Sequence, residues 1–286
     1  MHRWLIAIGL AGSVVVAVPH AFAGPAETKE ITAVIEQQFA AFRDPKGAPS
    51  VYAKDAMVAM TGGPSSPQVD KLNNAGARWS IFGPARVGKH KLSNLRVVVA
   101  RDGQSAWASF AAKVSVDGLD KTGAVDYRAT ELFARTATGW QVKGAAWSVG
   151  IAKAKFAKAV KGAQLAALES VFDRNIGDAD ILAAVKGLAS AGLDPTAAAR
   201  TDIVGIGPAS GDVSAGGKKL AAKLKTEWGD KLTVDGSIWA VTAGTTACAT
   251  VNLRLAGGPS RLFAVFEKTE AGTWSPVLVH VGAAVQ

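Results

Sequence analysis

Two stretches of the chain follow the same pattern and constrain the fold more than any other feature of the sequence. The stretch "ELFARTATGWQVKGAAWS" begins at Glu131, and "AVFEKTEAGTWSPVLVHVG" begins at Ala264. Each contains a Phe, a Thr three residues later, then a Gly and a Trp, and finally a run of strand-forming residues. The alignment pairs Phe133 with Phe266, Thr136 with Thr269, Gly139 with Gly272 and Trp140 with Trp274, with Thr273 as one inserted residue. We therefore predict an internal duplication in which each copy is a complete domain.

The first copy begins with a helix and continues with strands. A helix is predicted over 26–44, with charged residues and Gln on the side opposite its apolar stripe. The residues of the stripe are Ile31, Val34, Ile35, Phe39 and Phe42. A helical turn over 50–56, a brief strand over 57–63 and a short helix around Val69–Trp79 are expected next. Four antiparallel strands are then expected over 94–103, 105–116, 125–136 and 140–150.

The second copy repeats this order. Helices are expected over 163–175, 179–195 and 216–229, with a short strand over 201–208 that matches the brief strand of the first copy. Four strands are expected over 231–244, 245–258, 260–272 and 273–284. Helices followed by a run of strands indicate the α+β class. Two copies are too few for a solenoid, and each has its own amphipathic helices and sheet.

The N-terminus has the pattern of a signal peptide over residues 1–23. Arg3 precedes a continuous apolar run, and Ala21 and Ala23 are the small residues that a signal peptidase requires. A membrane anchor is the alternative, but the run is shorter than the roughly 20 residues that a spanning helix needs. We expect export to the periplasm and a mature chain that begins at Gly24 without an integral membrane segment.

Charge and cysteine content exclude several functions. The formal net charge is +9, but Lys and Arg are spread along the chain without the interleaved aromatics of nucleic-acid binders. The basic segment 153–162 is interpreted as a solvated linker between domains 24–152 and 163–286, in preference to a membrane-surface or partner-docking helix. The single cysteine, Cys248, is expected to be a buried core residue. No metal-ligand spacing and no cofactor motif occurs, and "GDVSAGGKKLAAKL" fails the phosphate-loop pattern at two positions.

The first copy resembles the SnoaL-like members of the nuclear transport factor 2-like superfamily over about 125 residues. The resemblance depends on the opening helix and on six residues, which are Arg128, Thr130, Gly139, Trp140, Trp147 and Ser148. The second copy is similar more weakly, because Val281 and Gly282 replace the Trp-Ser ending. The resemblance implies two cone-shaped domains, each with N-terminal helices packed on a strongly curved antiparallel sheet around an apolar pocket. Members of the superfamily include isomerases, dehydratases, epoxide hydrolases, binding domains and assembly domains, so the fold does not fix the function.

Enzymes of this superfamily place a carboxylate or His against a Tyr, Asp or Arg inside the pocket. The candidates for the pocket walls are Tyr52, Asp126, Tyr127, Arg128, Glu131 and His280. Strand alternation directs Arg128 and Thr130 to one face, and Tyr127 and Glu131 to the other. His280 shares a face with Trp274 and would point into the second pocket if that face lines the cone. His90 is interpreted as an exposed loop residue.

These observations favour an exported protein that binds a small apolar ligand or a protein partner without catalysis. The alternative is an isomerase, dehydratase or hydrolase acting on a small apolar substrate in one cone. A third possibility is a structural module whose pockets are filled by side chains. No catalytic residue is assigned, because the acid–base sets of the ketosteroid isomerases and epoxide hydrolases do not map onto this sequence. The sequence leaves the oligomeric state open.

Two predictions concern stability. Trp140 and Trp274 are expected to be core residues that do not contact ligand. Residues 24–152 are expected to fold without the rest of the chain unless the two domains share a large apolar interface.

Overall fold

The computed structural model describes most of the chain as two α+β domains. The described residues are 23–61, 74–82, 85–117, 124–152, 155, 175–228, 233–234, 236–255 and 258–283. Most of the predicted signal peptide, nearly all of the predicted linker and all but the last residue of the helix predicted over 163–175 lie outside them. Among the helices that are described, none is long and apolar enough to cross a membrane.

The first domain contains two described helices and a five-stranded sheet. Its elements are α1 (Pro25–Arg43), β1 (Tyr52–Thr61), α2 (Asn74–Phe82), β2 (Val87–Val99), β3 (Ser105–Val116), β4 (Ala124–Thr136) and β5 (Gly139–Val149). The strand order is β1-β5-β4-β3-β2, and β1 pairs in parallel with β5 while all the other pairs are antiparallel. The helical turn predicted over 50–56 is wrong, because these residues lead into β1 and that strand pairs with distant β5. Local propensity does not reveal such a pairing.

The second domain repeats this arrangement with a larger sheet. Its helices are α3 (Ala179–Ala191), α4 (Pro195–Ala199) and α5 (Gly217–Trp228). Its strands are β6 (Val204–Ile206), β7 (Val213–Ala215), β8 (Thr233–Val234), β9 (Trp239–Ala243), β10 (Thr246–Leu255), β11 (Gly258–Lys268) and β12 (Trp274–Ala283). The order is β7-β6-β12-β11-β10-β8, with β9 also paired to β10. The single strand predicted over 231–244 is therefore two strands. As in the first domain, the short strand β6 runs parallel to the closing strand β12.

Both sheets contain bulges, which appear as shifts in strand register. In the first sheet the register shifts between Leu132 and Phe133 along β4, and twice along β2. Asn94, inside the second of the β2 irregularities, has a φ of 54°, the left-handed conformation that Asn tolerates better than most residues. A register shift between Val265 and Phe266 occupies the position in the second sheet that corresponds to the β4 shift. Such bulges increase local twist, and they support the cone shape of each domain.

Three apolar cores hold the molecule together. One core lies between the helices and the inner sheet face of the first domain, and a second occupies the same place in the second domain. The third lies between the outer faces of the two sheets, and its larger members include Met57, Trp107, Leu132, Phe263, Val265 and Leu278. Cys248 is fully buried in this third core, as expected from the sequence. The two domains therefore share a large apolar interface.

The polar contacts across this interface are reciprocal. Arg128 on β4 hydrogen-bonds to the carbonyls of Gly207, Pro208 and Ala209, which follow β6. Its counterpart in the alignment, Arg261 on β11, donates to the carbonyl of Met60 near the end of β1. The hydroxyls of Ser105 and Thr246, which begin the equivalent strands β3 and β10, lie 2.8 Å apart. Equivalent residues thus make equivalent contacts, as in the isologous interface of a twofold dimer.

Candidate functional site

The interior of the first cone contains a group of aromatic rings centred on Trp147. Five rings contact this indole edge-to-face, with centroid distances from 5.7 to 6.1 Å. They belong to Phe39, Phe42, Phe82, Phe110 and Tyr127. These five residues come from α1, α2, β3 and β4, and Trp147 of β5 is fully buried among them. Such edge-to-face contacts stabilise the cone beyond the burial of apolar area alone.

A buried polar cluster lies beside this aromatic group. Gln38 Nε2 of α1 donates to the Tyr52 hydroxyl oxygen at 2.6 Å and to Glu131 Oε1 at 2.9 Å. Trp147 Nε1 donates to the same Glu131 oxygen at 3.3 Å. Gln38, Glu131 and Trp147 have no exposed surface, and Tyr52 is almost fully buried. The Glu131 carboxyl therefore joins α1 to β4 and β5, and the Gln38 amide joins α1 to β1.

Burial changes the protonation chemistry of this cluster. Desolvation raises the pKa of Glu131 to about 7, although the hydrogen bonds from Gln38 and Trp147 oppose the shift. Desolvation and the neighbouring Glu131 carboxylate raise the pKa of Tyr52 well above its ordinary value, so its hydroxyl stays protonated. Both protonation states of Glu131 are consequently accessible near neutral pH, so it can either accept or donate a proton.

Two acceptor atoms of the cluster have no partner within the described residues. These atoms are Glu131 Oε2 and Gln38 Oε1, and both are inaccessible to solvent. Buried polar atoms are nearly always hydrogen-bonded, and leaving one without a partner costs about 1–3 kcal/mol. Both atoms can therefore accept further hydrogen bonds.

Three of the six candidates from the sequence meet in this cone, namely Tyr52, Tyr127 and Glu131. Desolvation raises the pKa of Tyr127 to about 12, and its ring contacts Phe82 and Trp147. Asp126 is exposed at the start of β4 and takes no part in the cluster. The predicted alternation along β4 is confirmed, because Tyr127 and Glu131 face the cone while Arg128 faces the second domain.

His280 lies between the domains and does not face the second cone. Its Nδ1 is 3.1 Å from Thr130 Oγ1, and its Nε2 is 2.8 Å from Ser148 Oγ. Burial and the nearby positive charge of Arg128 lower its pKa well below the usual value. The expectation of a second-pocket histidine is wrong, because the face of β12 that carries His280 packs on the first sheet. Its neighbours Val279 and Val281 are the residues that face the second cone.

His90 also differs from its sequence interpretation. It lies in β2 and stacks on Phe39 of α1, with ring centroids 4.0 Å apart and planes within 5°. Its Nε2 is 2.8 Å from Glu36 Oε2, and its Nδ1 is 3.2 Å from Arg43 Nη1. His90 therefore connects the sheet to the first helix. The interpretation of His90 as an exposed loop residue is wrong.

Gln38 was missed by sequence reasoning, which placed Gln on the polar side of the first helix. Of the two glutamines in this helix, Gln37 is exposed and Gln38 is buried. Gln38 follows Ile31 by seven residues and precedes Phe42 by four, so helical spacing places it within the apolar stripe. A polar residue inside an apolar stripe is the signal that could have identified it.

The described residues contain no group of three or more His, Cys, Asp or Glu side chains suited to a metal ion. The second domain has a small cavity bounded by β6, α5 and β12, with a volume of about 10 Å³. That volume holds one water molecule at most.

No protein-family profile matches the chain, and neither does any curated protein. Solved structures that are similar to it each cover one half of the chain. A nuclear transport factor 2-like protein of unknown function from Pseudomonas putida is 24% identical, with 46% of this chain and 91% of that protein aligned and a TM-score of 0.35. A ketosteroid isomerase-like protein from Erwinia carotovora is 19% identical, with 44% and 98% aligned and a TM-score of 0.33. A hexachlorocyclohexane dehydrochlorinase is 11% identical, with 43% and 85% aligned and a TM-score of 0.34.

These neighbours include members of the superfamily that the sequence resembles. The α+β assignment with two cone domains rests on the element order and sheet topology of the chain itself. Proteins of unknown function and enzymes both occur among the neighbours.

Proposed function

We propose that this protein binds a small, mostly apolar molecule in the cone of its first domain, and that Glu131 anchors a polar group of that molecule. The observation that supports this is the unpartnered, fully buried Glu131 Oε2 atom beside a wall of aromatic rings. Binding sites for small molecules are mostly apolar and contain few, well-placed polar groups. A ligand hydroxyl or amide N–H donating to Glu131 would satisfy the buried oxygen.

The test uses 2-naphthol and naphthalene as probes, because they differ only in one hydroxyl donor. The wild-type protein should bind naphthol about tenfold more tightly, which corresponds to one net hydrogen bond of about 1.4 kcal/mol. Glu131→Leu should abolish this preference. Glu267→Leu is the matched control, because Glu267 is the other buried glutamate among the described residues and lies outside the first cone. Equal affinities for the two probes in the wild-type protein, or no binding of either, would contradict the proposal.

Acid–base catalysis in the same cone is the second candidate, and the Glu131 pKa of about 7 favours it. A carboxyl group with this pKa can remove a weakly acidic proton near neutral pH. Exchange of the α-hydrogens of cyclohexanone for deuterium, followed by proton NMR, tests this activity without assuming a natural substrate. Exchange by the wild-type protein that is lost in Glu131→Gln and retained in Glu267→Gln would support it. Equal exchange in all three proteins would exclude it for this probe.

We also propose export to the periplasm, on the sequence of residues 1–23 alone. Helix α1 begins at Pro25, so cleavage after Ala23 would remove none of the described secondary structure. N-terminal sequencing of protein recovered from cells should give Gly24 as the first residue. An intact Met1 would contradict export by this route.

A further inference from the structure

The second domain contacts the first domain directly behind the polar cluster. Glu131 and Thr130 are consecutive on β4, and Trp147 and Ser148 are consecutive on β5. Side chains alternate along a strand, so Glu131 and Trp147 face the cone while Thr130 and Ser148 face the second domain. In the sheet, Thr130 pairs with Ala146, and Ala129 pairs with Trp147. The outward hydroxyls of Thr130 and Ser148 therefore mark the reverse side of the strands that carry the cluster.

His280 joins these two hydroxyls. One ring nitrogen is 3.1 Å from Thr130 Oγ1, and the other is 2.8 Å from Ser148 Oγ. The ring is almost fully buried, so water does not compete for these contacts. Arg128 Nη2 also donates to Ser148 Oγ at 3.0 Å, so this hydroxyl contacts both the guanidinium and the His280 ring. A rigid ring from the second domain thus connects two strands of the first.

We propose that His280 is a positioning residue through which the second domain fixes the geometry of the Glu131–Trp147 pair in the first cone. By holding β4 and β5 from behind, His280 keeps the carboxyl and the indole at hydrogen-bonding distance and keeps water away from them. The proposal rests on Glu131 and Trp147 being the functional groups of the first cone. It gives the second domain a role in a site to which it contributes no side chain.

The test follows the Trp147 indole N–H by NMR in protein labelled with ¹⁵N at tryptophan, with the signal assigned by its loss in Trp147→Phe. Since this N–H donates to Glu131, its chemical shift should titrate with the carboxyl. The wild-type midpoint is expected near the Glu131 pKa of about 7. His280→Ala should lower the midpoint by about half a pH unit or more, because a loosened site admits water and reduces the desolvation of the carboxylate.

Thr246→Ala is the matched control. It removes a buried hydrogen bond across the same interface, to Ser105, but not behind the cluster. The midpoint in this variant should stay within about 0.2 units of wild type, since no group near Glu131 changes. His280→Gln, which can still contact both hydroxyls, should restore most of the wild-type midpoint. If His280→Ala does not fold, the double variant Thr130→Val and Ser148→Ala removes the same two contacts from the first domain, and its midpoint decides the question.

An unchanged midpoint in folded His280→Ala, or equal shifts in His280→Ala and Thr246→Ala, would overturn the positioning role. The measurement needs no ligand, so its outcome is separate from that of the naphthol experiment. A shifted midpoint without naphthol binding would support positioning and contradict the proposed binding. Naphthol binding with an unchanged midpoint would support binding and contradict positioning.

Discussion

The inward faces of the two cones differ at the buried carboxyl and the central indole, whereas their outward faces share an arginine that reaches the opposite domain. In the alignment of the copies, Glu131 corresponds to Ala264 and Trp147 to Val281. The second core contains aliphatic side chains and Phe266, with Trp274 packed at its margin. On the outward faces, in contrast, Arg128 corresponds to Arg261, and each contacts the opposite domain.

This difference separates two physical requirements. An interface between two copies needs complementary groups from both, so a residue such as Arg128 cannot change without consequences for the opposite sheet. The interior of each cone packs only against its own helices, so one interior can be filled with aliphatic groups while the other retains a buried carboxyl. The first domain therefore carries the candidate site, and the second covers its outer sheet.

The largest expected effect comes from removing the second domain. Residues 24–152 alone would expose the outer face of the first sheet, which includes Met57, Val98, Trp107, Leu132 and Ala146. An exposed apolar patch of this kind favours association or loss of the folded state. We therefore expect the fragment to be aggregated, dimeric or unfolded by size-exclusion chromatography with light scattering. The shared core is the exception under which the sequence analysis did not expect residues 24–152 to fold alone.

Coexpression with residues 163–286 is the control for that experiment. The two fragments should form a soluble one-to-one complex, because the contacts between the domains do not depend on a covalent connection. A monomeric 24–152 fragment with a cooperative thermal transition would contradict the shared core.

The next largest effect compares Trp147 with Val281, the equivalent position in the second cone. Trp147→Ala removes the centre of the aromatic group and should lower the free energy of unfolding by about 3–5 kcal/mol. Val281→Ala should cost about 2 kcal/mol, since it removes two buried carbon atoms. Denaturant unfolding of both variants gives these values. Equal losses would indicate that the two interiors are packed in the same way.

Much of the fold could be predicted from the sequence. The duplication, the helix α1 and the strands β3 and β10 follow from local patterns, and β3 has the predicted bounds. The parallel pairings of β1 and β6 could not be predicted, because they join segments more than 70 residues apart in the chain. The division between β8 and β9 was missed for a related reason, since both segments pair with the same long strand β10.

The candidate site was only partly predictable. Alternation along β4 correctly grouped Tyr127 with Glu131, because strand periodicity is a local property. The position of His280 was not predictable, because one periodic face can meet either the helices or another sheet, and the sequence does not say which. Gln38 is the opposite case. Its helical spacing places it on the buried side of α1, but the predicted apolar stripe did not include it.

The charge of Glu131 gives the third prediction. Its pKa is raised to about 7, so the folded state binds more protons than the unfolded state between about pH 4.5 and 7. The wild-type protein should therefore lose stability as the pH rises through this range, by about 3 kcal/mol at most. Glu131→Gln stays neutral, so it should be more stable than wild type at pH 8 by up to that amount and similar to wild type near pH 4.5.

His280 changes stability in the opposite direction with pH. Its pKa is lowered in the folded state, so its contribution is lost as the pH falls below about 6.5, the value of an unperturbed histidine. Both proteins contain His280, so its contribution cancels when the free energy of unfolding of Glu131→Gln is subtracted from that of wild type at each pH. Denaturant unfolding measures both values. If this difference in unfolding free energy is the same at pH 4.5 and pH 8, the Glu131 carboxyl is hydrated in solution, contrary to its burial in the structure.

The smallest effect distinguishes Trp140 from Trp274, which begin the two closing strands. Trp140 is buried, as expected, and its Nε1 donates to Glu30 Oε2 at 3.1 Å. Trp274 is only half-buried, which corrects the expectation that both are core residues. A cation lies over each ring, Arg135 at 5.3 Å from the Trp140 centroid and Lys268 Nζ at 5.7 Å from the Trp274 centroid.

Because this cation contact is common to both positions, burial should decide the difference between them. Trp140→Ala should cost about 3 kcal/mol, the lower end for a buried aromatic, and Trp274→Ala about 1–2 kcal/mol. Trp140→Phe retains most of the apolar area but loses the indole donor, so the gap between the Phe and Ala variants isolates packing from the bond to Glu30. Denaturant midpoints of the three variants measure this order. A larger loss for Trp274→Ala than for Trp140→Ala would mean that the second cone depends on its closing strand more than the first does, and that burial does not decide the difference between the two positions.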